Sequence, residues 1–141
     1  MLKNAIVILV VLAVLAALGA SWVMERAGQF KQLDPVALPR CRQITGMPGA
    51  EDITIQRATG IALVSSFDRR AAAAGEPRQG AIFAYDLNAP ESAPRELTAG
   101  YGGALHPHGI SLYSGDEGTF LHVVNHPPEG HAIEIFEWRD D

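Results

Sequence analysis

Between Ala5 and Met24 the alternation of apolar and polar positions disappears: every side chain is apolar except Ser21, and none is charged. A helix without a polar face is not a surface helix of a soluble domain. These 20 residues would span roughly 30 Å as a helix, at about 1.5 Å per residue, which matches the hydrocarbon thickness of a bilayer. Lys3 places positive charge ahead of the run, and Trp22 stands near its far end, where an amphipathic ring favours the interface. Residues 1–24 therefore read as a transmembrane helix or signal anchor, with a cleaved signal peptide as the alternative. The anchor is preferred because Leu18-Gly19-Ala20 fits the small-x-small cleavage rule poorly. The run is also longer than the usual signal core of about 7–15 residues. The mixed charges that follow (Glu25, Arg26, Lys31) favour a cytoplasmic N-terminus only mildly.

Beyond Met24 the pattern changes. Pro35, Pro39 and Pro48 exclude a long helix over residues 25–48, which read as an extended connector. From Gly49 onward come short β-type runs: Ile53–Ile55, Ile61–Ser66, Ala81–Tyr85, Gly109–Tyr113, Thr119–Val124 and Ala132–Trp138. Several alternate apolar and polar, and nearly all are bounded by Gly, Pro, Asp or Asn. Ser114–Gly118 joins two of them as a hairpin loop. Arg69–Gly80, with Ala71–Ala74 ahead of Gly75 and Pro77, reads as an exposed loop with room for one helical turn. Six short strands predict an all-β meander over residues 49–141, as propeller blades or part of a sandwich. They amount to about one and a half four-stranded blades, whereas a closed propeller needs at least about four blades.

Charge narrows the partners. The chain carries 11 − 16 = −5, and residues 25–141 carry 10 − 16 = −6, because residues 1–24 hold only Lys3. An acidic domain without basic clusters argues against nucleic acid and is compatible with hard cations. The single cysteine, Cys41, is unusual for an exported protein unless its partner lies on another chain or outside this sequence.

Two groups of residues stand out as chemistry. Glu51-Asp52 is an adjacent carboxylate pair following Gly49-Ala50. Neighbours on an extended chain point to opposite sides, so the two acids need not share a ligand. Carboxylate oxygens suit calcium, while the plainer reading is a solvated acidic turn. The second group is His106-Pro107-His108-Gly109-Ile110, with Asn125-His126-Pro127-Pro128 closing a later strand. Histidines two apart on an extended segment share a face, and glycine permits close backbone approach. His108 and His126 can form a proton-transfer pair in which one imidazole orients the other. The plainer reading is structural histidines, as His122 and His131 are taken to be. A transition-metal site at His106 and His108 is a further option, but no HExxH or Cys/His signature supports it. There is no Gly-rich phosphate loop and no Gly-x-Ser-x-Gly elbow, and Ser65-Ser66 lies inside a strand pattern.

Four segments, Met47–Ile53, Ala62–Ser66, Pro107–Ser111 and Val123–Pro127, resemble successive motifs of the paraoxonase/arylesterase family in order and spacing. The resemblance covers roughly residues 40–138, and PHGIS with VVNHP is its most specific part. It implies a six-bladed β-propeller with two calcium ions in a central tunnel, hydrolysing aryl esters and lactones. By motif position, Glu51 would bind the catalytic calcium, Asp52 and the Ile110 carbonyl the structural one. His108 would be the general base and His126 its partner. Cys41 matches the cysteine that in the family is bridged to one near the far C-terminus, and an uncleaved hydrophobic N-terminus is also similar.

The resemblance covers only the family's N-terminal portion, to about the end of its second blade. Later asparagine and aspartate ligands and the second cysteine are not in this sequence. The expectation is an incomplete N-terminal fragment, inactive alone, anchored on the extracytoplasmic face of a membrane, or secreted if the signal is cleaved. That location supplies calcium and oxidising conditions. The alternative is a non-catalytic, membrane-anchored β-module acting in protein interaction.

Overall fold

An uninterrupted helix, α1, runs Leu2–Arg26, and no residue of it is buried. It ends where Gly28 takes φ +77°. There the Gln29 N–H donates to the Met24 carbonyl at 2.9 Å and the Gly28 N–H to that of Glu25 at 3.0 Å. This paired closure satisfies the last carbonyls of a helix and depends on a left-handed glycine. Arg26 lies over the Trp22 ring, 5.3 Å from its centroid. By length and composition α1 can cross a membrane, a test that a signal sequence near the N-terminus also passes. The computed structural model describes residues 2–32, 41–76 and 78–139, so Pro35 and Pro39 of the expected connector lie outside the described residues. The chain divides into two units, residues 1–41 with α1 and residues 42–141 with all the strands.

The second unit is two antiparallel sheets. The first contains β1 (Ala50–Gln56), β2 (Ile61–Ser66), β3 (Ala81–Asp86) and β4 (Arg95–Glu96), in that spatial order. The second contains β5 (Pro107–Gly115), β6 (Gly118–Asn125) and β7 (Ala132–Trp138). A single short helix, α2 (Arg69–Ala73), occupies the connection between β2 and β3, capped by Asp68, which accepts from the Ala71 N–H at 3.0 Å. β4 has no counterpart among the sequence-predicted strands. It is two charged residues long, and only its pairing with Phe83 and Ala84 makes it a strand. The β5–β6 hairpin is tighter than expected: Gly115 pairs with Gly118, leaving only Asp116 and Glu117 in the turn.

The core draws on both sheets. Leu63, Ile82 and Ala84 from the first meet Leu121 and Val123 from the second, with Ile61, Leu97, Ile110, Leu112, Phe136 and Trp138 packed around them. The alternation along β1 and β7 identified which residues share a face but not which face is covered. Ile53, Ile55, Ile133 and Ile135 are between 47 and 61% exposed, whereas Phe136 and Trp138 pack on the core. Antiparallel meanders of this kind, following an apolar helix, are consistent with part of a β-propeller.

Candidate active site

The first strands of the two sheets, β1 and β5, lie against each other, and each is irregular at the same place along its length. The β1 register shifts between Ala50 and Ile53, the segment that contains Glu51 and Asp52. The β5 register shifts between Pro107 and Ile110, the segment that contains His108 and Gly109. A bulge bends its strand and re-aims the side chains within it, and bulges concentrate beside active sites. Gly49 sets the entry to the first bulge at φ +66°, and a Cβ there would lie 2.2 Å from the Phe67 carbonyl oxygen. Buried Ser66 holds the same approach by donating its hydroxyl to the Pro48 carbonyl at 2.7 Å. Buried Ser65 accepts the Asp52 N–H at 3.1 Å. The two serines thus position the acidic pair, a role that their strand setting did not reveal.

Glu51 and Asp52 engage separate partners. One Glu51 oxygen, Oε1, is 3.0 Å from His108 Nδ1, and the other, Oε2, is paired with the Arg69 guanidinium. A second arm of that guanidinium, Nη1, is 2.8 Å from His108 Nε2. Arginine can only donate, so Nε2 bears the lone pair, and Nδ1 carries the proton that faces Glu51. Asp52 turns the other way. Its Oδ2 accepts the Ile110 N–H at 2.8 Å and its Oδ1 accepts the Ile53 N–H at 2.9 Å. Ile110 therefore meets Asp52 through its amide.

The histidines form a chain of rings. His108 and His126 are edge to face with centroids 5.2 Å apart, and His126 and His131 are edge to face at 4.6 Å. His126 Nδ1 and His131 Nδ1 are 2.7 Å apart, so one of them donates to the other. Local desolvation comes first in lowering the His126 pKa, followed by His131, His108 and Arg69, with Glu51 acting in the opposite direction. His106 is used differently. It stacks on Phe67 with centroids 4.2 Å apart, and its Nδ1 is 3.2 Å from the His126 carbonyl. The segment between these rings is pinned by buried Asn125. Its Oδ1 accepts the His106 N–H at 2.7 Å, and its Nδ2 donates to the Ala104 carbonyl at 2.9 Å and to Glu134 Oε1 at 3.1 Å.

The structure thus brings Glu51, His108 and His126 together and places Asp52 with Ile110 beside them. Arg69 and His131 were missed as members. The signal that finds them is strand pairing. Ala50 pairs with Ser66, so the segment that follows Ser66 leaves the sheet at the end of β1 that carries the Glu51 bulge, and Asn125 pairs with Ala132, so His126 and His131 flank one hairpin. Cys41 is exposed and free among the described residues.

The Glu51 and Asp52 carboxylates suit a hard cation in kind, but each ion of calcium's type takes about 6–8 oxygens. Among the described residues no three His, Cys, Asp or Glu side chains converge closely enough to hold an ion by themselves. Glu51 and Asp52 can supply only part of such a coordination shell, and the two face different surroundings.

Two antiparallel sheets that present an acid–imidazole constellation from irregular strands define the class, a β-sheet protein with its charged cluster where β1 meets β5. The family model described as Arylesterase matches residues 32–141, and the chain belongs to this family of hydrolases. It is 36% identical over 148 residues to serum paraoxonase/arylesterase 2 of Gallus gallus, covering 94% of this chain and 41% of that protein. To serum paraoxonase/arylesterase 1 of Mus musculus it is 33% identical over 131 residues, covering 82% of this chain and 35% of the relative. To serum paraoxonase/lactonase 3 of Homo sapiens it is 34% identical over 125 residues, covering 82% and 34%. The chain spans about two fifths or less of the length of these relatives.

Proposed function

We propose that the chain is the N-terminal part of a calcium-dependent hydrolase of aryl esters and lactones, held at the extracytoplasmic face of a membrane by α1. In this reading residues 49–141 are about one and a half blades of a six-bladed propeller, residues 25–48 are a connector and residues 1–24 a retained anchor. The observation that carries it is the contact between Glu51 and His108 across two facing bulges. The names of the relatives, paraoxonases, arylesterases and a lactonase, supply the substrate class.

Each residue has a part. Glu51 would contribute to a catalytic calcium site, and Asp52 with the Ile110 carbonyl to a structural one. Calcium, when bound, would polarise the ester carbonyl and offset charge on its oxygen. Glu51 fixes the His108 tautomer by accepting from Nδ1, which makes Nε2 the atom that takes a proton from water. The resulting hydroxide adds to the carbonyl carbon, and collapse of the adduct expels the alkoxide or phenolate, which regains the proton. His126, edge to face with His108, orients that ring. Two acids do not complete two calcium sites, so the chain alone is inactive in this account. The exposed Ile53, Ile55, Ile133 and Ile135 fit surfaces that further blades would cover.

The test uses a full-length protein containing this segment. His108→Gln should lower turnover of a phenyl ester by about two orders of magnitude, the usual size of a general-base contribution, while leaving bound calcium unchanged. Full turnover in His108→Gln would remove His108 from the mechanism.

A further inference from the structure

Arg69 has a position that the proposed chemistry does not use. It is the first residue of α2, with its side chain half exposed, and its guanidinium spans the two groups on which that chemistry depends. One arm neutralises Glu51 Oε2 and the other covers the His108 Nε2 lone pair at 2.8 Å. His108 Nδ1 takes the remaining Glu51 oxygen, so both carboxylate oxygens and both ring nitrogens are engaged within one closed set of contacts.

We infer that Arg69 is an internal counter-cation of this site, which a divalent cation must displace, and that its departure frees the base. The inference rests on the reading of Glu51 as a calcium ligand. A divalent ion at a carboxylate sits about 2.3–2.6 Å from its oxygen. A guanidinium bonded to the same carboxylate would then stand a few ångströms from two positive charges, in a part-exposed site where Coulomb repulsion is only partly screened. The ion and the guanidinium therefore compete for Glu51. The planar fork that pairs with Glu51 also supplies the N–H that covers Nε2, so releasing one contact releases the other. Binding of the ion and exposure of the general base are thereby coupled through one side chain. Without the ion the base is capped; with it the Nε2 lone pair faces the substrate.

The experiment measures calcium affinity calorimetrically on the full-length protein and on Arg69→Gln and Arg69→Lys, together with the imidazole nitrogen resonances of 15N-histidine-labelled samples. His108→Gln assigns the His108 signals. Removing the competing charge in Arg69→Gln should tighten calcium binding roughly two- to fivefold, the worth of a part-exposed ion pair. Arg69→Lys, which keeps the charge without the fork, should bind calcium near the unsubstituted level yet show an uncovered Nε2 before calcium is added. In the unsubstituted protein, calcium should move the Nε2 resonance to its position in Arg69→Gln. Calcium binding that weakens or stays equal in Arg69→Gln overturns the competition, because Arg69 would then be a support for Glu51. An Nε2 resonance that ignores calcium overturns the coupling. Absence of calcium binding to all three proteins overturns the calcium reading of Glu51 itself, and the competition with it.

Discussion

Asn125→Asp changes one atom's chemistry and almost none of its shape. Asn125 is 1% exposed, and its Nδ2 donates to the Ala104 carbonyl and to Glu134 Oε1 while its Oδ1 receives the His106 N–H. A carboxylate at this position keeps the last bond and turns both donors into acceptors. Two hydrogen bonds lost at about 0.5–1.5 kcal/mol each give the smaller part of the cost. The larger part is a buried charge facing another carboxylate, on the order of 4 kcal/mol at about 4 Å with an effective dielectric constant near 20. Protonating the new acid at pH 7 avoids that repulsion but costs about 1.4 kcal/mol for each unit by which its pKa is raised. Either route predicts a loss of about 5–7 kcal/mol at pH 7. Because the folded-state pKa of the introduced acid is raised above its unfolded value, the penalty shrinks as pH falls toward the ordinary carboxylate range. Urea unfolding, followed by the fluorescence of core-packed Trp138 at pH 7 and at pH 4.5, measures both effects. A loss below about 0.5 kcal/mol, or one indifferent to pH, would refute the claim that this amide network pins the histidine segment.

Gly49→Ala should cost about 1–2 kcal/mol for the left-handed backbone alone and more for the approach to the Phe67 carbonyl, read as a lowered urea midpoint. The same variant should weaken the Glu51–His108 contact, visible as a shift of the His108 Nδ1–H resonance. His126, whose pKa lies below the ordinary imidazole value, should titrate at lower pH than a free histidine in an NMR titration. A depressed folded-state pKa gives stability that is fully present above the unfolded value of about 6.5 and is lost as pH falls through the folded one, so the thermal midpoint should drop on acidification through that window. His131→Ala, which removes one of the causes, should move the His126 titration back toward the ordinary value; an unchanged titration would remove His131 from the cluster.

Much of this was legible in the sequence, and the failures share a cause. The unbroken apolar run from Ala5 to Met24 leaves a helix few alternatives, and the structure continues it to Arg26, where Gly28 provides the closure. Strand positions followed from alternation and from glycine and proline punctuation. Alternation is silent about which face is covered, however, and in β1 and β7 the exposed isoleucines lie on the uncovered side. The acidic pair and the histidine segment stood out because carboxylate pairs and His-Pro-His are uncommon in strands. Their separation into Glu51 with His108 and Asp52 with Ile110 came from two bulges that no local pattern announces. Arg69 and His131 were invisible because their roles come from hairpin register. An arginine in an alanine-rich loop and a histidine after a glycine carry no chemistry until the strands beside them are paired.

The most direct test of the account is the hydrolysis rate of a phenyl ester and a lactone by the full-length protein, measured before calcium removal, after exhaustive EGTA treatment and after calcium is restored. The account predicts that activity is abolished by EGTA and returns with calcium, because in the proposed function Glu51 and Asp52 would be ligands of ions that the reaction requires. Full activity in the calcium-free protein would contradict it.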